Sequence, residues 1–90
     1  MKLLIVDDEP GLRQSLRLLL ADEGHEVADA ADGALALARA GAEPFDVILC
    51  DVRMATMDGL EFLRRYRAGG GGALVIMMSA YGTEDTAIAC

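Results

Sequence analysis

Short apolar runs alternate along the chain with stretches in which apolar residues recur at helical spacing. Continuous apolar runs bounded by polar residues are typical of strands that are buried on both faces of a parallel sheet. Three such runs and one weaker stretch predict four strands, at residues 3–6, 26–29, 45–50 and 73–78.

The stretches between the predicted strands carry the start and stop signals of helices. In the first of them, leucines at positions 12, 16, 19 and 20 share one helical face. Proline is favoured in a first turn, aspartate and threonine as N-caps, and glycine just beyond a helix end. The predicted helices run from Pro10 to the stop at Gly24, from the cap Asp32 through Ala40 to Gly41, from Gly59 to Arg67, and from the cap Thr83 to Cys90.

The alternation of strands and helices defines the fold class. A β-α-β-α-β-α-β-(α) order predicts an α/β protein with a parallel sheet, right-handed crossovers and helices on both faces. Ninety residues without an internal repeat or a linker predict one domain, residues 1–90. The fourth strand would leave an apolar edge, which we expect residues beyond this sequence or a partner chain to cover.

The charge balance excludes two classes of partner. Eight Lys and Arg against fifteen Asp and Glu give a net charge of −7, whereas nucleic acids and anionic membranes require a basic face. No apolar run approaches the length of a membrane span, and the N-terminus lacks the pattern of a signal peptide. Because Cys50 and Cys90 do not have metal-ligand spacing, we expect a reduced, cytoplasmic protein.

Three aspartates follow predicted strands. Asp7 and Asp8 end the first strand, and Asp51 ends the third. Ligands of open α/β sheets bind beyond the carboxyl ends of the strands, so the three carboxylates converge if these two strands are neighbours. Like charges this close need compensation, which Mg²⁺ or Mn²⁺ provides at an all-oxygen site. Taken singly, each aspartate could instead cap a helix or occupy a polar loop.

A hydroxyl follows the fourth predicted strand. Ser79 would lie at the same edge as Asp51 if the third and fourth strands are adjacent, although a strand-ending serine also commonly bonds to local backbone. A lone carboxylate beside a divalent cation and a hydroxyl suits phosphoryl transfer onto the carboxylate. His25 precedes the second strand, far from the acids in sequence, and we expect it to be a surface residue.

These residues resemble the motifs of response-regulator receiver domains. Residues 4–10 (Leu-Ile-Val-Asp-Asp-Glu-Pro) look like the family's acid-pair motif, and residues 46–54 with 57–59 resemble its phosphoacceptor strand and loop. Residues 78–82 (Met-Ser-Ala-Tyr-Gly) resemble its switch strand, and residues 80–87 look most like receivers of the nitrogen-regulator type. The resemblance implies a flavodoxin-like, doubly wound parallel sheet with strand order 2-1-3-4 in this chain.

Transferred position by position, the resemblance implies a metal site and a phosphoacceptor. Asp51 would be the phosphorylated aspartate and also a metal ligand. Asp8 would ligate Mg²⁺ directly, and Asp7 would act mainly through a metal-bound water. The backbone carbonyl of Arg53 would complete the protein ligands.

The resemblance also implies roles beside this site. Ser79 would be the switch hydroxyl, small Ala80 would leave access to the phosphoryl group, and the Arg53 side chain would tune its lifetime. The chain departs from the family at Ala55, where members commonly carry proline. Receivers also continue through a fifth strand with a catalytic lysine and a fifth helix, and the only lysine of this chain is Lys2.

The function implied by the resemblance is a phosphoacceptor signalling module rather than an enzyme, with at most self-catalysed phosphorylation and dephosphorylation. A sensor histidine kinase would phosphorylate Asp51. The surface around the fourth strand and helix would then change to control an output domain, one that regulates transcription, or self-association. Two alternatives stay open: a truncated receiver that oligomerises without phosphotransfer, and an Mg²⁺-dependent aspartyl-phosphate phosphatase, which Arg53 disfavours because such enzymes place a second acid there.

Overall fold

A computed structural model of the chain describes residues 1–54 and 57–78 and the backbone of residues 88–89. Within this part of the chain, no helix combines the length and the apolar character needed to cross a lipid bilayer. The strands are β1 (Lys2–Val6), β2 (Glu26–Ala30), β3 (Val47–Asp51), β4 (Leu74–Met78) and β5 (Ile88–Ala89), and the helices are α1 (Pro10–Asp22), α2 (Gly33–Ala42) and α3 (Gly59–Ala68).

The described strands form one sheet with the order β2-β1-β3-β4-β5. The first four strands are parallel: Leu4 pairs with Ala28 on one side and Ile48 on the other, and Ile48 pairs in turn with Val75. Because crossovers between parallel strands are right-handed, α1 lies on one face of the sheet, and α2 and α3 lie on the other. This doubly wound arrangement confirms the predicted α/β, flavodoxin-like fold and the strand order 2-1-3-4.

The main core fills the space between the sheet and the pair α2 and α3. Alternate residues of a strand point to the same face, so every second residue of the central strands enters this core. On the opposite face, Leu3 and Ile5 are buried. The core includes Leu4, Val6, Ile48, Cys50, Val75 and Met77 from the sheet, and Ala36 and Phe62 from the helices. This packing fixes β1 and β3 side by side in the middle of the sheet, where the strand order reverses.

Local signals set most helix ends as predicted. Pro10 opens α1, and Gly24, with a φ of 95°, follows its end in the left-handed conformation that glycine adopts most readily. Asp32 caps α2 by accepting a hydrogen bond from the Leu35 amide at 2.8 Å. The helices that flank the site therefore begin at positions fixed by the local sequence.

The predicted end of α2 is wrong by two residues. The helix continues through Gly41 to Ala42, and the Glu43 amide still donates to the Arg39 carbonyl at 3.1 Å. Proline disfavours the helical conformation of the residue before it, and Glu43, which precedes Pro44, is extended with φ −149° and ψ 150°. Pro44 rather than Gly41 therefore ends this helix.

The prediction of a fourth helix is wrong at Ile88 and Ala89, which form a strand. Residues 79–87 and 90 lie outside the described part of the chain, but Ile88 and Ala89 pair antiparallel with Met77 and Ile76 of β4. An isolated helix of about seven residues is too short to be stable, whereas strand pairing satisfies the free backbone groups of the sheet edge. The edge of β4 that was expected to lie open is therefore paired at these two residues.

Candidate functional site

The three predicted aspartates meet at the carboxyl edge of the sheet. Val6 pairs with Cys50, so the residues that follow β1 leave the sheet beside the end of β3. Asp7, Asp8 and Asp51 each offer a carboxylate oxygen, and these oxygens all lie within 4.8 Å of one another. The sequence-based expectation that these three acids converge is confirmed.

Asp7 is an acidic residue that is only 1% exposed, and hydrogen bonds hold both its side chain and its backbone. Its Oδ1 accepts a hydrogen bond from the Glu9 amide at 2.9 Å, and its own amide donates to the Ala30 carbonyl at 3.2 Å. The N-cap residue of α1 is Glu9, which makes no side-chain capping bond. Asp7 therefore fixes the turn before the helix while directing its carboxylate into the acidic cluster.

Arg13 braces this turn from the first helix. Its Nη1 donates to the Asp7 backbone carbonyl at 2.8 Å, and its Nε donates to Asp29 Oδ2 at 2.9 Å. Hydrogen bonds from a charged donor are stronger than neutral ones. The pair of contacts ties the end of β1 to the end of β2. The pairing of Arg13 with Asp29 could not be predicted from the sequence, because only the packing of α1 against β2 brings the two side chains together.

Asp51 is the half-buried member of the cluster. Its Oδ1 accepts a hydrogen bond from the Arg53 amide at 3.2 Å. Burial raises the pKa of Asp51, the Arg53 amide opposes that shift, and the charges of Asp7 and Asp8 raise the pKa further. Without a compensating cation, the site therefore disfavours the ionised form of Asp51.

The start of α3 lies directly against the Asp51 backbone. Asp58 caps this helix by accepting from the Glu61 amide at 2.8 Å, and the Gly59 amide donates to the Val52 carbonyl at 2.8 Å. A Cβ at Gly59 would overlap the Asp51 carbonyl oxygen and would lie 3.0 Å from Val52 Cα. Only glycine permits this approach, so Gly59 sets where the segment after Asp51 meets the helix.

The donor set of the cluster fits a hard divalent cation. Three carboxylates supply oxygen ligands only, the type that Mg²⁺ and Mn²⁺ prefer, and no sulfur or imidazole ligand belongs to the group. The pKa shift of Asp51 has the direction that a cation would relieve. The residues present therefore fit an Mg²⁺ site.

The other predicted residues are distributed as follows. The amide of Arg53 contacts Asp51, which places Arg53 next to the cluster. Ser79 and Ala80 lie outside the described residues. His25 lies at the opposite edge of the sheet, where it is half-buried and its Nδ1 is 3.2 Å from the N-terminal amine. The expectation that His25 is remote from the acids is confirmed, although it is less exposed than a typical surface residue.

Cys50, directly before Asp51, is a completely buried thiol. Burial, together with the nearby charges of Asp51 and Asp7, raises the pKa of Cys50 from 9.0 to about 12. At pH 9 an ordinary thiol is largely ionised, whereas the raised pKa keeps the Cys50 thiol protonated. Cys50 is therefore expected to be unreactive in the folded protein.

Alkylation with iodoacetamide at pH 9 tests this expectation in a Cys90→Ser chain, which leaves Cys50 as the only thiol. Intact mass should show almost no modification of the folded protein over a time in which the same chain reacts completely in denaturant. Alkylation at the same rate in both conditions would show that the thiol is neither buried nor shifted.

The fold and the site together define a class: a doubly wound α/β domain with a carboxylate cluster, suited to a divalent cation, where the strand order reverses. Residues 3–90 match the model of the response regulator receiver domain family. The chain belongs to this family. Receiver domains are phosphoacceptor modules that work with sensor histidine kinases and output domains.

Individual relatives agree with this assignment. The chain is 40% identical over 86 residues to the transcriptional regulatory protein ZraR of Klebsiella oxytoca. This alignment covers 96% of the chain and 19% of ZraR. The chain thus spans about a fifth of that regulator's length. Vibrio cholerae chemotaxis protein CheY4 matches 93% of the chain and 72% of its own, with 38% identity and a TM-score of 0.86. The structure of response regulator TrrA of Thermotoga maritima, solved with Mg²⁺-BeF, superposes with a TM-score of 0.83 and 33% sequence identity. This match covers 90% of the chain and 70% of TrrA.

Proposed function

We propose that Asp51 accepts a phosphoryl group from the phosphohistidine of a sensor histidine kinase. The observation that carries this proposal is the convergence of Asp51 with Asp7 and Asp8 within 4.8 Å at the carboxyl edge. A half-buried aspartate beside two further acids has the nucleophile and the cation ligands that phosphoryl transfer to a carboxylate requires. Residues 1–90 act as a phosphoacceptor rather than as an enzyme that turns over a separate substrate.

The transfer needs only one nucleophilic group from this chain. A carboxylate oxygen of Asp51 attacks phosphorus in line as the phosphorus–nitrogen bond to the kinase histidine breaks. The leaving imidazole nitrogen keeps the electron pair and takes up a proton. The Arg53 amide holds Asp51 Oδ1 at 3.2 Å, which orients the carboxylate before the phosphodonor arrives.

Asp7, Asp8, Asp51 and the Arg53 carbonyl would hold Mg²⁺ or Mn²⁺. When bound, such a cation neutralises charge on the phosphoryl oxygens in the transition state. The chain's own contribution is to keep these oxygen ligands together: the Glu9 amide orients Asp7, and Arg13 anchors the backbone carbonyl of Asp7.

The signal would leave the site through the fourth strand. Ser79 would move toward the phosphoryl group, Ala80 would leave access to it, and the Arg53 side chain would tune its lifetime. This movement biases a two-state equilibrium of the surface around the fourth strand and the chain after it. Because a full-length relative is a transcriptional regulator, an output domain that controls transcription is the partner that we propose.

Thermal unfolding with a phosphoryl mimic tests the proposal. Mg²⁺ alone should raise the unfolding midpoint, and beryllofluoride added with Mg²⁺ should raise it again, because a ligand that binds only the folded state stabilises it. Beryllofluoride without Mg²⁺ should have no effect. Asp51→Asn should abolish the second shift, whereas Asp22→Asn, at the end of α1, should keep both shifts.

Two outcomes would contradict the assignment of Asp51. One is a protein that responds to Mg²⁺ but gains nothing from beryllofluoride. The other is a beryllofluoride shift that persists unchanged in Asp51→Asn. Either result would show that Asp51 is not the phosphoacceptor of this site.

A further inference from the structure

The Met57 side chain lies directly on the first residue of α2. Gly33 is buried at the start of this helix, just after the capping residue Asp32. A Cβ at Gly33 would lie 2.7 Å from Met57 Sδ and 3.0 Å from both Cβ and Cγ of Met57. Any side chain at position 33 would therefore have to displace the Met57 side chain.

The backbone conformation gives no other reason for a glycine at this position. Among the described residues, only Gly24 and Gly70 have a positive φ, so alanine could adopt the conformation of Gly33. In a helix alanine is more favourable than glycine. The contact with Met57 is thus the feature of the described structure that a side chain at position 33 would disturb.

Met57 is connected to the acidic cluster by a short path. It precedes Asp58 and Gly59, and the Gly59 amide bonds to the Val52 carbonyl at 2.8 Å. Arg53, which follows Val52 in the sequence, donates a hydrogen bond from its amide to Asp51 Oδ1. A displacement of Met57 would therefore be transmitted through the hydrogen bond between Gly59 and Val52. It would reach Asp51 and Arg53, the two neighbours of Val52, which belong to the site.

We propose that the contact of Gly33 with Met57 positions the segment after Asp51, and so sets the geometry of Arg53 at the cation site. Gly33 is a positioning residue: it acts through Met57 and touches none of the reacting atoms. The inference rests on the proposed function in assigning the Arg53 carbonyl to Mg²⁺. Its structural part, that Gly33 governs the position of Arg53, stands independently.

The test compares two glycine-to-alanine substitutions in the same helix. Gly33→Ala adds a Cβ against Met57, whereas Gly41→Ala adds one where nothing lies within 4 Å. Gly33→Ala should shift the Arg53 and Gly59 amide resonances of the Mg²⁺-free protein and weaken Mg²⁺ binding roughly tenfold, as loss of an outer-shell contact to a metal site commonly does. Gly41→Ala should leave both unchanged.

Two further variants separate positioning from general destabilisation. Met57→Ala in the Gly33→Ala background removes Met57 Sδ and Cγ from the collision, so it should recover part of the lost Mg²⁺ affinity. Met57→Ala alone, which creates no collision, should also shift the Arg53 amide because it removes the contact. This variant decides the question if Gly33→Ala does not fold.

The inference is overturned if folded Gly33→Ala keeps both its Arg53 amide resonance and its Mg²⁺ affinity, or if Gly41→Ala loses as much affinity. It is equally overturned if Gly33→Ala does not fold and Met57→Ala leaves the Arg53 amide in place. Failure of the proposed function would look different: the wild-type protein would neither bind Mg²⁺ nor respond to beryllofluoride, while the amide shifts of the Mg²⁺-free variants would persist.

Discussion

Gly59→Ala is expected to be the most damaging single-atom addition at this edge of the sheet. The new Cβ would collide with the Asp51 carbonyl oxygen and lie 3.0 Å from Val52 Cα. Both are backbone groups of a central strand and the residue after it, so neither can rotate away. Overpacking of this kind costs about 1–3 kcal/mol, and we expect a value near the upper end.

Thermal unfolding measures this cost. A loss of about 3 kcal/mol corresponds to a midpoint lower by roughly 12–24 °C in a domain of this size. Gly11→Ala is the matched control: it also adds a Cβ in the first turn of a helix, but the nearest atom is Glu9 Oε1 at 4.0 Å. A Gly59→Ala midpoint as high as that of Gly11→Ala would show that α3 does not begin against the Asp51 backbone.

Asp8→Asn is expected to change stability in opposite directions with and without Mg²⁺. In EDTA the substitution removes one of three negative charges whose oxygens lie within 4.8 Å. Asp8 is exposed, so Coulomb's law with a dielectric constant near that of water gives a gain of about 1 kcal/mol. In excess Mg²⁺ the wild-type protein gains the binding free energy, about 2.7 kcal/mol at a hundredfold excess over Kd, and the variant loses most of that gain.

Unfolding curves in EDTA and in saturating Mg²⁺ show whether this crossing occurs. The Asp8→Asn midpoint should lie above that of the wild type without Mg²⁺ and below it with Mg²⁺. Asp22→Asn, which removes a charge far from the cluster, should respond to Mg²⁺ as the wild type does. The cluster would not be a cation site if Asp8→Asn kept the full Mg²⁺ response.

The features that could be predicted from the sequence are those with a short-range signature. The apolar runs located the four parallel strands, and the order of strands and helices then implied that residues after β1 and β3 share an edge. Asp7, Asp8 and Asp51 were found in this way, because they lie at or just beyond the ends of two predicted strands. Asp32 was found as an N-cap because capping depends on residues three positions apart.

The features that could not be predicted depend on contacts between distant segments. Gly33 begins α2, and Met57 lies just before α3. Neither local sequence indicates that these two residues are in contact. Arg13 looks like an ordinary polar residue of α1 until β2 brings Asp29 beside it. Gly59 had a partial signal, since it follows a capping aspartate shortly after the phosphoacceptor candidate, but its reason is the Asp51 backbone underneath it.

The error in the C-terminal region has a different cause. A threonine in the position of an N-cap predicts a helix from Thr83. Ile88 and Ala89 instead pair with β4, because the unpaired backbone groups of a sheet edge offer hydrogen bonds that a short, isolated helix cannot match. Tertiary hydrogen bonding thus overrides a local signal there.

Intact mass after incubation with acetyl phosphate is the most direct test of the central claim, that Asp51 is an Mg²⁺-dependent phosphoacceptor. The account predicts the gain of one phosphoryl group by the wild-type protein in Mg²⁺, no gain in EDTA, none in Asp51→Asn, and an unchanged gain in Asp22→Asn. The claim is contradicted if Asp51→Asn is modified as fully as the wild type. It is also contradicted if a wild-type protein that binds Mg²⁺ gains no phosphoryl group.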